Sequence, residues 1–271
     1  MKTQLFRAAA LIAQVFAASL AQADASAPAH VQKAALYVGQ VAPNNNVYGS
    51  PAQLAYDNAN VLHATTRCGS FTALLFKNTY AAVTDAALIA LTGSNSPYAD
   101  EWYNAIKNQV SDPASGLALV KRATVGDLQA GDILSSIYTT NGDTGHAMTV
   151  AEVVKWQENI APPHPIPGVA AVNKYRVKVY DSTKSVHGGY ANNPYPDSRY
   201  QTQTTNSGAV VNDDGIGYGS IVIYEDVADG RAVAWAWNVS PTTDSFYYAV
   251  EKPEGSTYDY RPIQMGVMTG L

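Results

Sequence analysis

GDILSSIY (131–138), HAMTVAEVV (146–154) and YRVKVYD (175–181) are three apolar, β-branched runs whose reading decides the fold. In the third, Tyr175, Val177 and Val179 alternate with Lys174, Arg176, Lys178 and Tyr180, the period of two of a strand with one buried face. The first two read as strands on composition. Downstream, SIVIYE (220–225) and RAVAWAW (231–237) add two more, joined through Asp229-Gly230, a hairpin signal. The Pro-rich segment WQENIAPPHPIPGVAAVN (156–173) reads as an extended loop inserted between the second and third strands.

Upstream of about residue 115 the pattern turns helical. PAQLAYDNANVLHA (51–64) reads as a helix with Pro51 at its first position. Thr65 or Thr66 can cap a second helix whose Phe71, Leu74 and Leu75 recur at helical spacing, and this puts Cys68 in its first turn. Thr84 to Leu91 predicts a short helix stopped by Gly93. Ser96-Pro97 opens another, with Trp102, Ile106 and Val110 on one face. Residues 24–50 are polar and read as an irregular lead-in. Helices followed by an antiparallel sheet predict an α+β domain over 51–271, with no repeat or linker to divide it.

The 271 residues are 46% apolar and 14% charged, enough for a packed core and unlike a disordered or fibrous chain. Lys2 and Arg7, the apolar run Ala8 to Leu20, and Ala21-Gln22-Ala23 have the pattern of a secretory signal peptide over 1–23, cleaved after Ala23. Its removal leaves 15 basic residues against 22 acidic ones, a net charge of −7. That balance argues against nucleic acid or an anionic membrane as partner. No later apolar run approaches the ~18 residues of a membrane span. The expectation is an exported protein, secreted or periplasmic, with no cofactor.

Export leads to an oxidising compartment, where cysteines usually pair. This chain has one, Cys68, so an internal disulfide is impossible and the thiol itself is informative. One reading is a buried small hydrophobe. The other is a nucleophile. A helix N-terminus stabilises a thiolate, and an adjacent imidazolium lowers its pKa further. His146, opening the second strand, is the candidate imidazole, acting as acid toward a leaving amine. Asp181 ends the apolar face of the third strand, where a carboxylate needs a polar partner, so it is the candidate orienter of His146.

At these residues the chain resembles the NlpC-type cell-wall peptidases, which share a papain-like fold with the CHAP amidases. The resemblance covers roughly 56–181. It rests most on Leu128-Gln129-Ala130-Gly131-Asp132-Ile133-Leu134 followed by Gly145-His146-Ala147-Met148, and on the order Cys68, His146, Asp181. It implies a papain-like α+β fold in which N-terminal helices, with the nucleophile at a helix start, pack on a C-terminal antiparallel sheet or half-barrel. It implies amide hydrolysis, with peptide or peptidoglycan as substrate, and places Tyr56 near the site. Those peptidases usually carry Asp-Cys-Ser-Gly where this chain has Arg67-Cys68-Gly69-Ser70, and Leu62 stands where papain-like proteases place an oxyanion-hole glutamine.

Further signals are weaker. His187, in the segment leaving the third strand, is a candidate substrate-binding residue or a rival orienter, and His63 a candidate neighbour of the cleft. Asn212-Asp213-Asp214-Gly215 lacks the later glutamate of a calcium loop, and Gly215-Ile216-Gly217-Tyr218-Gly219 leads into a strand where a phosphate loop leads into a helix. No metal site emerges. Two alternatives to a hydrolase stand: a thiol acyltransferase using the same triplet, and a glycan-binding module presenting Tyr247, Tyr248, Tyr258 and Tyr260.

Overall fold

The structure is a computed structural model that describes residues 26–138, 143–188, 194–204, 210–212, 214–239, 246–250 and 259–271. The signal segment 1–23, Asp213 and Tyr258 lie outside the described residues. Helix α1 is Ala29–Gln40, followed by strands β1 (Asn46–Tyr48), β2 (Gln53–Tyr56) and β3 (Leu62–Thr66). Helices α2 (Cys68–Lys77), α3 (Asp85–Thr92) and α4 (Ala99–Lys107) come next. Then follow β4 (Ser111–Asp112), β5 (Leu117–Lys121), β6 (Ile133–Ser136), β7 (His146–Ile160) and β8 (Val172–Thr183). The chain ends with β9 (Tyr200–Thr204), β10 (Val210–Asn212), β11 (Gly215–Asp226), β12 (Ala232–Ala236), β13 (Phe246–Tyr248) and β14 (Ile263–Thr269).

The expected papain-like α+β arrangement is not what the chain adopts. The fold is mostly β. A nine-stranded antiparallel sheet runs in the order β13-β12-β11-β8-β7-β6-β14-β5-β4, beside a small mixed sheet β1-β3-β2. The helices are not packed against a sheet in the papain-like way. Two local readings account for much of the difference. Residues 51–64 form a hairpin, because Asp57 closes a tight turn: its Oδ1 accepts the N–H of Ala59 and of Val61, and Asn60 takes φ +61°. Leu62, Ala64 and Thr66 are then buried alternately, as a strand requires. Strands β7 and β8 also run longer than their apolar runs suggest, so the Pro-rich loop shrinks to the residues between Ile160 and Val172. In the lead-in, His30, Val31, Ala34 and Tyr37 give α1 a buried stripe.

The helices downstream of Cys68 start and stop for visible reasons. Thr84 accepts the Ala87 N–H as N-cap of α3, and Gly93, at φ +88°, ends it. Trp102 and Ile106 of α4 pack with Phe76, Leu88, Leu119, Ile133 and Met268 in one core cluster, which includes Cys68. On the other face of the sheet, Met148, Val150, Val177, Val179, Ile221 and Ile223 meet Trp235 of β12 and Met265 of β14. Strands β12 and β14, five places apart in the order, share that core, so the sheet is strongly curled. Backbone bonds from Arg261 to Tyr248 (2.9 Å) and from Ile263 to Ala249 (3.2 Å) tie the β13 end to the start of β14, with β5 and β4 continuing beyond. No helix among the described residues is long and apolar enough to cross a membrane.

Candidate active site

Cys68 is the first residue of α2, after Arg67 in extended conformation. Ser70 Oγ accepts the Arg67 N–H (2.9 Å), and the Trp102 indole N–H donates to the Gly69 carbonyl (3.2 Å), so the helix start is held from two sides. Gly69 has no alternative: a Cβ there would lie 2.2 Å from the Pro97 carbonyl oxygen. The thiol is buried, 3.9 Å from the Gly145 carbonyl oxygen.

That carbonyl belongs to the turn that delivers His146. Gly145 has φ +114°, and a Cβ on it would sit 1.9 Å from the Ser136 carbonyl oxygen, so only glycine lets the strand begin here. The His146 Nε2–H donates to Asp181 Oδ2 at 2.6 Å, leaving Nδ1 as the nitrogen available to the sulfur. Burial alone pushes the imidazole toward neutrality. Hydrogen bonds to Asp181 and Cys68 and their charges overcome it, raising its pKa to about 9. Burial likewise pushes the thiol up, and the hydrogen bond and charge of His146, with backbone N–H groups of Ala147 and Gly69, bring it below its ordinary value. Thiolate and imidazolium therefore stabilise each other.

Asp181 is fully buried on β8 and takes more than one partner. His187 Nε2 donates to Oδ2 (2.8 Å) and Arg199 to Oδ1 (2.7 Å). Arg199 also grips Asp197 through two nitrogens (2.9 and 2.7 Å), and Asp197 accepts the backbone N–H of His187 (2.8 Å). Burial raises the Asp181 carboxyl, but the Arg199 and His187 charges and the two histidine hydrogen bonds hold it well below the usual carboxylate range. Arg199 and Asp197 are absent from the sequence reading. Their signal lay in the alternating glycines of β11: a Cβ on Gly217 would strike Arg199, and one on Gly219 would strike His187 and Asp197. The glycine run is the space this polar cluster occupies.

A cleft of about 610 Å³ opens beside His146, lined by Tyr48, Tyr138, Asp143, Gly145, Lys184, Trp237, Tyr247 and Arg261 among others. Tyr48, on the short strand β1, lines this cleft and also interacts with the Cys68 thiol; burial pushes its own hydroxyl up. Arg261 lies over the rings of Tyr247 (3.7 Å) and Tyr138 (4.1 Å). Tyr56 is elsewhere, on β2, exposed and bonded to Gln40. His63 is on β3, half exposed, paired with Asp57 at 3.1 Å. Of the tyrosines named for a binding surface, Tyr247 lines the cleft, while Tyr248 and Tyr260 stack on each other in the core (5.0 Å).

His146, Asp181 and His187 also form a metal-ligand type of cluster, their ligand atoms within 4.8 Å of one another. The spacing favours hydrogen bonds. Tetrahedral zinc at ~2.0–2.2 Å from each ligand would hold those atoms about 3.4 Å apart. Here both nitrogens lie 2.6 and 2.8 Å from a single oxygen, the distances of N–H···O bonds.

Over 188 residues the chain is 24% identical to an uncharacterized protein of Acanthamoeba polyphaga mimivirus, covering 68% of this chain and 73% of that one. No protein-family model matches the chain. No solved structure matches it either.

Proposed function

We propose that this chain is an exported thiol hydrolase of amide bonds, with the peptide part of peptidoglycan as its substrate class. The observation that carries the reading is the array Cys68, His146 and Asp181: a sulfur at a helix start, an imidazole hydrogen-bonded to it, and a buried carboxylate 2.6 Å from the imidazole's far nitrogen. The Cys68 thiolate attacks the amide carbonyl, and the oxygen takes up the negative charge, facing the N–H groups of the first turn of α2. As the carbon–nitrogen bond breaks, His146 gives its proton to the leaving amine, and a thioester remains on Cys68. Water then attacks the thioester. His146 takes the water's proton, the acid product leaves, and the thiolate–imidazolium pair is restored. Asp181 fixes the imidazole's orientation throughout. Substrate choice follows from the exported location expected for the chain and from its resemblance to cell-wall peptidases around the histidine and cysteine.

The test compares wild type with Cys68→Ala on purified peptidoglycan and on small peptide amides. Release of new amino and carboxyl groups by wild type alone is expected. Equal turnover by both proteins would end the proposal. Adding a competing amine separates hydrolysis from acyl transfer, since a transferase yields the new amide in place of the acid.

A further inference from the structure

His187 is fully buried, and both its ring nitrogens face acceptors. Nδ1 lies 2.8 Å from the Trp237 carbonyl oxygen and Nε2 lies 2.8 Å from Asp181 Oδ2. A carbonyl oxygen cannot donate, and an ionised carboxylate only accepts. Asp181 is held ionised without His187, because Arg199 points N–H at Oδ1 and His146 points its Nε2–H at Oδ2. Both nitrogens of His187 must therefore carry hydrogen. The buried charges require the same. With the Cys68 thiolate and the His146 imidazolium cancelling each other, Asp181 and Asp197 set two negative charges against the single positive charge of Arg199, and a further cation brings the cluster to neutrality. The Trp237 ring, stacked on His187 at 4.1 Å and 28°, suits a cation as well.

We infer that His187 is an imidazolium which, together with Arg199, closes the charge around Asp181 and so limits how strongly that carboxylate acts on His146. His187 is a positioning residue, acting on the sulfur only through Asp181 and His146. Its charge state stands on the hydrogen bonds alone; its consequence for turnover rests on the thiol-hydrolase reading. The charged and titratable groups packed around it are Asp181 on β8, His146 on β7 (ring centroids 6.1 Å apart), and Asp197 and Arg199 on the segment before β9. Removing the cation leaves net negative charge beside the thiolate–imidazolium pair. His146 then keeps its proton to higher pH, and the thiol releases its proton at higher pH too.

Two measurements decide this. Ring-nitrogen NMR of ¹⁵N-histidine-labelled protein, with His187 assigned by its loss in His187→Gln, is expected to show N–H on both nitrogens; a bare ring nitrogen overturns the charge assignment. The pH profile of Cys68 alkylation by iodoacetamide is expected to move upward on both limbs in His187→Gln, by about one pH unit. An unchanged profile in a variant with a cooperative melt overturns the transmitted effect. If His187→Gln does not fold, the wild-type ring-nitrogen spectrum decides alone, with His187 then assigned by its coupling to Asp181 and Trp237. A wild type with an ionised Cys68 but no amide hydrolysis defeats the hydrolase reading and leaves this inference standing.

Discussion

Gly217 stands opposite Asp181 across the β8–β11 pair, and a Cβ built on it would lie 2.8 Å from Arg199 Cγ and 2.9 Å from its Nε. The absent side chain is what lets a buried guanidinium reach the carboxylate. Gly217→Ala therefore displaces Arg199 or pushes the strands apart. The expected loss of stability is roughly 1–3 kcal/mol. A lower urea midpoint at unchanged slope would show it, with Cys68 alkylation slowed in parallel.

The thiol's reactivity follows from the paired shifts. In wild type, iodoacetamide labelling is expected to be fast already below pH 7, because His146 holds the thiol below its ordinary value. The imidazolium persists until its proton leaves near pH 9, which is where the proposed amide hydrolysis is expected to show its alkaline limb. In His146→Ala the burial that raises the thiol is opposed only by the backbone N–H groups of Ala147 and Gly69, the weakest of the lowering causes. Labelling at pH 7 should then fall by at least about tenfold. Equal labelling rates in the two proteins would refute the ion pair.

Tyr48 both lines the cleft and interacts with the buried sulfur, so its ring is expected to control access to Cys68. Tyr48→Ala is expected to speed labelling by a bulky maleimide more than by iodoacetamide. Tyr48→Phe keeps the ring in place and should leave the ratio of the two rates near that of wild type.

Asp181 makes acid stability predictable. Its folded value is depressed, so its contribution is complete above the unfolded value of about 3.9 and is lost as the pH falls below that. Asp181→Asn breaks a buried charge network and should cost about 3–5 kcal/mol near neutrality. The gap between variant and wild type should narrow as the pH is lowered below 4, measured by denaturant titration.

Asp132 plays a structural part. It is buried, pairs with Arg122 at 2.8 and 2.9 Å and accepts the Gln129 N–H at 2.8 Å. Asp132→Ala leaves the Gln129 N–H without its acceptor and Arg122 partly exposed, and is expected to cost about 1–3 kcal/mol. In the folded fraction, the pH profile of Cys68 labelling should be unchanged. A shifted profile would place Asp132 in the site.

Much of the site could be read in the sequence because its signals are local. A lone cysteine at the start of a helical period, a histidine opening an apolar run, and an aspartate on the parity of Tyr175, Val177 and Val179 each carry their chemistry in a few neighbouring residues. Tyr48 and Arg199 carry none among their own neighbours: one lies in a polar lead-in, the other between segments without pattern, its trace confined to the alternating glycines of β11. Tyr56 and His63 drew attention by their spacing from Cys68, but the Asp57 turn folds that stretch into a hairpin and sets them on the surface.

Periodicity in the amino-acid order determined α3, α4, the start of α2 and the central runs of β7, β8 and β11, since each depends on which face of a short segment is apolar. Tertiary structure alone decided that fourteen strands among the described residues outweigh four helices, and that most of those strands join in one curled sheet. It alone assembled the Asp181–His187–Arg199–Asp197 cluster. Sheet pairing and buried charge balance are sums over distant groups, and no window of neighbouring residues contains them.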